Sequence, residues 1–269
     1  MRPETSNIFR SLILSFLFST QLLQSGSIFD DFRKDLPAAW RSWSQRYAGT
    51  EEDSSERPLS MEGSLPIILV HGYLNTNSGW TAFRRAFQKA HLGPVYVPRL
   101  KASAQDVRYS AQQIARVIEV VREETGFDQV ILVGHSLGGI ICAYCVQHLA
   151  PEGSVKAVIS IAAPLRGTKT AAIGLGKAAH QMRCNCRFLK YLTAQMRYHP
   201  KSTYYCLGSS SDQMIRPYQN AFYKDPDDLI HFRLYNDIGH QTFLYDEDVI
   251  NDVISMIHTL DNPGSRNHP

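Results

Sequence analysis

Residues 129–149, QVILVGHSLGGIICAYCVQHL, decide the fold of this 269-residue chain. Gln129-Val130-Ile131-Leu132-Val133 is a short β-branched apolar run of the length a buried parallel strand needs. Ile140 to Leu149 reads as a buried helix, ended by Pro151 and Gly153. Between them stands a Gly-x-Ser-x-Gly pentapeptide, Gly134-His135-Ser136-Leu137-Gly138, at a strand-to-helix turn. Such a turn forces the serine into a sharp, strained conformation with its hydroxyl at the carboxyl edge of a sheet. Side chains two positions before and after it would strike neighbouring backbone, which accounts for Gly134 and Gly138. The helix opening there also aims backbone N–H groups at any anion that forms. Ser136 is therefore expected to be a nucleophile.

Working outward, strand and helix signals alternate. Leu65–Val70 reads as a strand, Trp80–His91 as a helix ended by Gly93-Pro94, and Val95–Val97 as a strand. Ser103 to Thr125 carries Ile114, Val117, Ile118 and Val121 at helical spacing and closes at Gly126. Val155–Ile161, Thr203–Leu207 and His231–Leu234 are further strands, and a last helix runs near Asp246 to Leu260. Six strands separated by helices predict an α/β fold, a mostly parallel sheet with helices on both faces and right-handed crossovers. Ligands of such sheets bind beyond the carboxyl ends of the strands. The interval 163–200 breaks the alternation. Its glycines and its helical second half, around Phe188, Leu189, Tyr191, Leu192 and Met196, predict a cap over the catalytic edge, against the alternative of a helix that pads the sheet.

Composition narrows the function classes. A formal charge of +3 with no basic run interleaved with aromatics argues against nucleic acid. Five cysteines are no disulfide framework; Cys142 and Cys145 fall on the helix after the serine, and Cys184-x-Cys186 lacks a second pair at zinc-ligand spacing. No dinucleotide fingerprint or phosphate loop is present, and no cofactor or metal is expected. Residues 1–27 form a hydrophobic amino-terminal segment. Within it Ile8–Leu23 falls short of the ~20 apolar residues of a spanning helix, which leaves an export signal, a membrane-surface attachment or a packed amphipathic helix in a cytoplasmic protein. Residues 28–63 read as a polar linker in which Trp40 and Trp43 dock a short helix, and residues 64–262 as the folded domain.

A serine hydroxyl needs a base, and the base needs a third group to orient it. His240 follows the last strand in Asn236-Asp237-Ile238-Gly239-His240, where Gly239 lets the loop turn. His231 sits at the wrong end of a strand, and His71 comes too early in the chain. Asp212, beyond Gly208-Ser209-Ser210-Ser211, is expected to orient it; the competitor Asp237 is only three residues away and would need a tight loop. The order Ser136, Asp212, His240 is that of the constellation on α/β sheets. Oxyanion donors are expected at the Leu137 N–H, next to the nucleophile, and at the Tyr73 N–H, in the His71-Gly72-Tyr73 loop after the first strand.

Together with Ala-Ala-Pro-Leu-Arg-Gly-Thr at 162–168, these motifs resemble the α/β-hydrolase superfamily over roughly Leu65 to Leu260, in its bacterial triacylglycerol lipase-like branch, which is similar also to inositol deacylases. The resemblance implies an α/β-hydrolase fold with this triad and these donors. It implies a serine hydrolase of carboxylic esters, of lipids or other acyl compounds, working through an acyl-enzyme. An acyltransferase or thioesterase would use the same triad; a non-catalytic ligand-binding module is the reading from another class. Leu165 stands where such lipases often carry histidine, the region before Leu65 is too polar for two extra strands, and no calcium-site carboxylate cluster is evident. These departures favour an esterase over a dedicated triacylglycerol lipase.

Overall fold

The β-branched runs become the six strands of one parallel sheet in a computed structural model, which describes residues 64–75, 77–100, 104–222 and 230–261. The segments expected over residues 1–27 and 28–63 lie outside the described residues. The strands are β1 (Ile67–Val70), β2 (Val95–Tyr96), β3 (Val130–His135), β4 (Val155–Ile161), β5 (Thr203–Ser209) and β6 (Ile230–Tyr235). Their order is β2-β1-β3-β4-β5-β6, and every neighbouring pair is parallel. The helices are α1 (Thr81–Lys89), α2 (Val107–Thr125), α3 (Leu137–His148), α4 (Gly176–Gln181), α5 (Arg187–Tyr198) and α6 (Glu247–Asp261).

Period-two alternation along each strand divides the core into two layers. Ile68, Val70, Leu132 and Val158 face the layer built with α2, α3 and α5. Ile67, Leu69, Val133 and Ile159 face the layer built with α1 and α6. Both faces are covered along β1, β3 and β4, which is why these strands read as continuous apolar runs, whereas His231 to Leu234 of edge strand β6 are exposed. Helix α3 buries ten of its twelve residues, so its sequence is apolar all round instead of striped. Helix α2 starts later than the sequence suggested: the Asp106 side chain accepts the Arg108 N–H at 3.0 Å and caps it, while Gly126 closes it at φ 73°. The chain runs outward from β1 to β2, then returns across β1 to β3. The carboxyl ends of β1 and β3 thus flank the point where strand order reverses, the place such sheets bind ligands. Among the described residues no helix is long and apolar enough to cross a membrane.

The cap expected over 163–200 requires a correction. Its second half, α5, packs Leu189, Leu192 and Met196 into the same layer as α3. Spaced three and four apart, these form one buried stripe. Two neighbouring parallel strands need a crossover, and α5 is the crossover helix between β4 and β5, lying beside the sheet. The part through Cys184 lies at the carboxyl edge, where Thr168 meets Met214 and Arg216, Cys184 Sγ meets the Arg216 carbonyl, and Leu175 meets Tyr73. Leu192→Ala should therefore lower unfolding free energy by about 2–5 kcal/mol, measured by chemical denaturation. Activity per folded molecule should fall equally on short and long esters; a selective loss on long chains would return α5 to a substrate-binding role.

Candidate active site

The turn between β3 and α3 is built by close packing. Ser136 adopts φ 55° and ψ −123°, a conformation that costs a non-glycine residue of order 1–3 kcal/mol. A Cβ on Gly138 would stand 2.1 Å from the Val70 carbonyl oxygen, and one on Gly134 would stand 2.5 Å from the Gly138 backbone. Both glycines are required for α3 to start directly against the ends of β1 and β3. The Ser136 N–H donates to the Ile161 carbonyl at 2.8 Å, which ties the turn to β4. Leu137, the first residue of α3, has one of the N–H groups that a helix leaves without an intrahelical acceptor.

Asp212 follows β5, and His240 lies in the loop between β6 and α6. The structure brings them together: His240 Nδ1 donates to Asp212 Oδ2 at 2.8 Å, with both side chains almost fully buried. The other carboxylate oxygen, Oδ1, accepts the N–H groups of Met214 at 2.8 Å and Ile215 at 2.9 Å. Bonding to the carboxylate keeps a proton on Nδ1, so neutral His240 has Nε2 as its basic nitrogen. Asp237, the alternative acid, is exposed.

Two residues not singled out in the sequence hold the histidine loop. His135 Nε2 donates to the His240 carbonyl at 2.9 Å, and the two rings stand 4.8 Å apart between centroids. That ring contact sets His240 beside the residue immediately preceding Ser136. Burial, and then the neighbouring His240, push the His135 pKa down to about 3, so the ring stays neutral. Gln213 Oε1 accepts the His240 N–H at 3.3 Å. The signal for His135 was its place between Gly134 and Ser136; its contact with a residue 105 positions later leaves no trace in local sequence.

The third part is the turn Gly72–Asn75, closed by Asn75 N–H donating to the Gly72 carbonyl at 3.3 Å. His71 Nδ1 donates to the same carbonyl at 3.1 Å, while His71 Nε2 accepts the Leu100 N–H at 3.3 Å. In a trans peptide the C=O and N–H point oppositely, so anchoring the Gly72 oxygen aims the Tyr73 N–H the other way. A Cβ on Gly72 would stand 2.9 Å from the Ser136 Cβ, so this turn lies directly on the serine turn. The Tyr73 hydroxyl donates to the Leu175 carbonyl at 2.5 Å and accepts the Leu175 N–H at 3.0 Å. Among the described residues no group of three or more His, Cys, Asp or Glu is disposed to hold a metal ion. The arrangement gathers a strained serine, a buried imidazole–carboxylate pair and the Gly72–Asn75 turn at one sheet edge.

Residues 66–179 match the family model described as the alpha/beta hydrolase fold. A stretch of 106 residues is 29% identical to a lysosomal thioesterase of Xenopus laevis, covering 38% of this chain and 36% of that protein. A stretch of 114 residues is 32% identical to a triacylglycerol lipase of Pseudarthrobacter phenanthrenivorans, covering 39% of this chain and 35% of that protein. The chain thus spans about a third of the length of these curated relatives. The crystal structure of the mature form of Bacillus licheniformis lipase BlEst2 superposes with a TM-score of 0.62 at 18% identity, covering 75% of this chain and 94% of that one. At that identity the likeness is one of fold.

The buried neutral His135 makes stability pH-dependent. Its folded pKa, about 3, lies below the 6.5 of an unperturbed histidine. The unfolded state therefore binds the proton first, and stability is lost as pH falls from 6.5 toward 3. Between pH 7 and 5 the wild type should lose about 2 kcal/mol more than His135→Gln, which keeps a donor toward the His240 carbonyl without a titrating ring. Parallel urea denaturations at the two pH values give the comparison, and equal losses would contradict a buried neutral ring.

Proposed function

From the match of residues 66–179 to the alpha/beta hydrolase fold model, we propose that the chain is a serine hydrolase cleaving carboxylic esters, with lipid or other acyl esters as substrates. The observation that carries the reading is the buried 2.8 Å bond between His240 and Asp212, with the His240 ring against that of His135, the residue before a serine held at φ 55°. Ser136 Oγ attacks the ester carbonyl carbon as His240 Nε2 takes its proton. The Tyr73 and Leu137 N–H groups receive the oxyanion, each donor worth roughly 3 kcal/mol of barrier. Asp212 stabilises the imidazolium. As the tetrahedral intermediate collapses, the C–O bond to the leaving alcohol breaks and His240 protonates that oxygen. Water then attacks the acyl-enzyme, gives a proton to His240, and releases the acid as the proton returns to Ser136.

Apolar side chains beside the oxyanion turn support an acyl substrate. Leu74 lies in the turn itself at φ 52°, and Ile173 and Leu175 flank the backbone that pairs with the Tyr73 hydroxyl. All three are exposed, Leu175 by 69%. A second reading, thioester cleavage, draws on the likeness to the lysosomal thioesterase. It keeps every step and changes only the leaving group. An alcohol in place of water at the second step would make the protein an acyltransferase.

A fluorophosphonate probe should label the wild type and leave Ser136→Ala unmodified. Ser136→Ala should lower kcat/KM on p-nitrophenyl butyrate by about 10⁴-fold or more, as loss of a triad member does. Asp212→Asn should give a weakened but measurable enzyme, and Asp237→Asn should leave the rate nearly unchanged. An unlabelled wild type would end the hydrolase reading in favour of a binding module. Parallel rates on matched oxygen esters and thioesters decide the leaving group. Ile173→Ser with Leu175→Ser should reduce turnover of long-chain esters far more than of acetate esters, since each buried CH₂ is worth about 0.8 kcal/mol. Equal losses would remove these side chains from acyl binding.

A further inference from the structure

The segment Ala-Ala-Pro-Leu-Arg-Gly-Thr at 162–168 plays no part in the steps above, yet its last residue is buried against the loop carrying the acid. Thr168 Oγ1 donates to the Met214 carbonyl at 2.7 Å and accepts the Arg216 N–H at 2.9 Å. Thr170 Oγ1 donates to the same Met214 carbonyl at 2.6 Å. Two hydroxyls thus converge on one oxygen from 46 and 44 positions away in the chain.

That oxygen is one end of the peptide group joining Met214 to Ile215. Its other end, the Ile215 N–H, donates to Asp212 Oδ1 at 2.9 Å. The two ends of a trans peptide point in opposite directions, so holding the carbonyl sets the direction of the N–H. Hydrogen bonds on the carbonyl also polarise the amide and strengthen its donor. With Oδ1 occupied by the Met214 and Ile215 N–H groups, Oδ2 is the oxygen presented to His240 Nδ1.

We propose that Thr168, seconded by Thr170, is a positioning residue for the acid: its hydroxyl fixes the Met214–Ile215 peptide, and through it the rotation of the Asp212 carboxylate that orients His240. The inference deepens the hydrolase reading and rests on its triad. The backbone around Thr168 is anchored independently of the hydroxyl. Thr168 N–H donates to the Met182 carbonyl at 2.8 Å and Lys169 N–H to the Arg216 carbonyl at 2.9 Å, while Asn220 Nδ2 donates to the Gly167 carbonyl at 2.7 Å. Removing the Thr168 hydroxyl alone therefore leaves the strap in place and the Met214 carbonyl held only by Thr170, which loosens the peptide. Among the described residues, titratable groups packed against His240 include Asp212 from the end of β5 and His135 from the end of β3. His135 remains neutral, so a change at Thr168 reaches the imidazole through Asp212.

The test uses the full chain with Thr168→Val, Thr168→Ser and Thr170→Val, and follows the His240 ring by NMR titration. A misaligned carboxylate stabilises the imidazolium less, so in Thr168→Val the His240 pKa should fall by about half to one unit. Thr168→Ser, which keeps the hydroxyl, should titrate as wild type. On p-nitrophenyl butyrate, Thr168→Val should lower kcat about 10- to 100-fold with KM nearly unchanged, and the acid limb of its pH profile should move to lower pH. A merely structural threonine would lower thermal stability without moving the titration, and that result would overturn the proposal. Should Thr168→Val fail to fold, Thr170→Val carries the same readout, with a smaller shift expected and an unmoved titration counting against the proposal. If fluorophosphonate leaves wild-type Ser136 unlabelled, the hydrolase reading fails, while the titration still decides whether Thr168 orients Asp212.

Discussion

No side chain fits between the first turn of α3 and the end of β1, because a Cβ on Gly138 would stand 2.1 Å from the Val70 oxygen. The helix therefore starts immediately where the strands stop, and the chain has one residue in which to turn. Ser136 takes that turn at φ 55°. Its strain, of order 1–3 kcal/mol, is offset by the burial of α3, ten of whose twelve residues are inside. The Gly72–Asn75 turn rests on the serine in the same manner, through a Gly72 with no room for a side chain. The candidate site's geometry thus comes from backbone packing at the sheet edge, with Ser136, Asp212 and His240 mounted on it.

Burial sets the electrostatics. A carboxylate taken out of water is tolerated when its lone pairs are filled, and Asp212 receives three donors: two backbone N–H groups and the His240 ring. Two imidazoles stand side by side, and a second positive charge there would disfavour protonation of His240. The structure avoids it by burying His135 so completely that it does not ionise near neutral pH. One ring works as a fixed donor to the backbone, and the other, in the reading proposed above, exchanges protons.

Much of this was legible in the residues. The strand runs were readable because a sheet covered on both faces leaves no polar alternation, and β4 was bounded to the residue. The meeting of Asp212 with His240 was legible because the sheet's topology puts the loops after β5 and β6 at one edge. The fate of 187–198 was not legible: the stripe Leu189, Leu192, Met196 is the same whether a helix covers a catalytic edge or the side of a sheet. What distinguishes them is the crossover required between β4 and β5. Contacts of His135 with His240 and of Thr168 with Met214 span 105 and 46 positions, and no local pattern records them. Their residue types were visible, but their partners were not.

The separation of His135 from His240 by 105 positions also has a meaning in time. Synthesis proceeds from the amino terminus, and β3 with its serine turn is complete long before β6 and the histidine loop are made. A nascent chain holding the inner strands carries Ser136 without His240, the base of the reading proposed above. The long-range pairings that bring the base in are also those with the greatest loop-closure cost. On the proposed triad, reactivity is thereby conditional on β6 and the histidine loop taking their places beside β3.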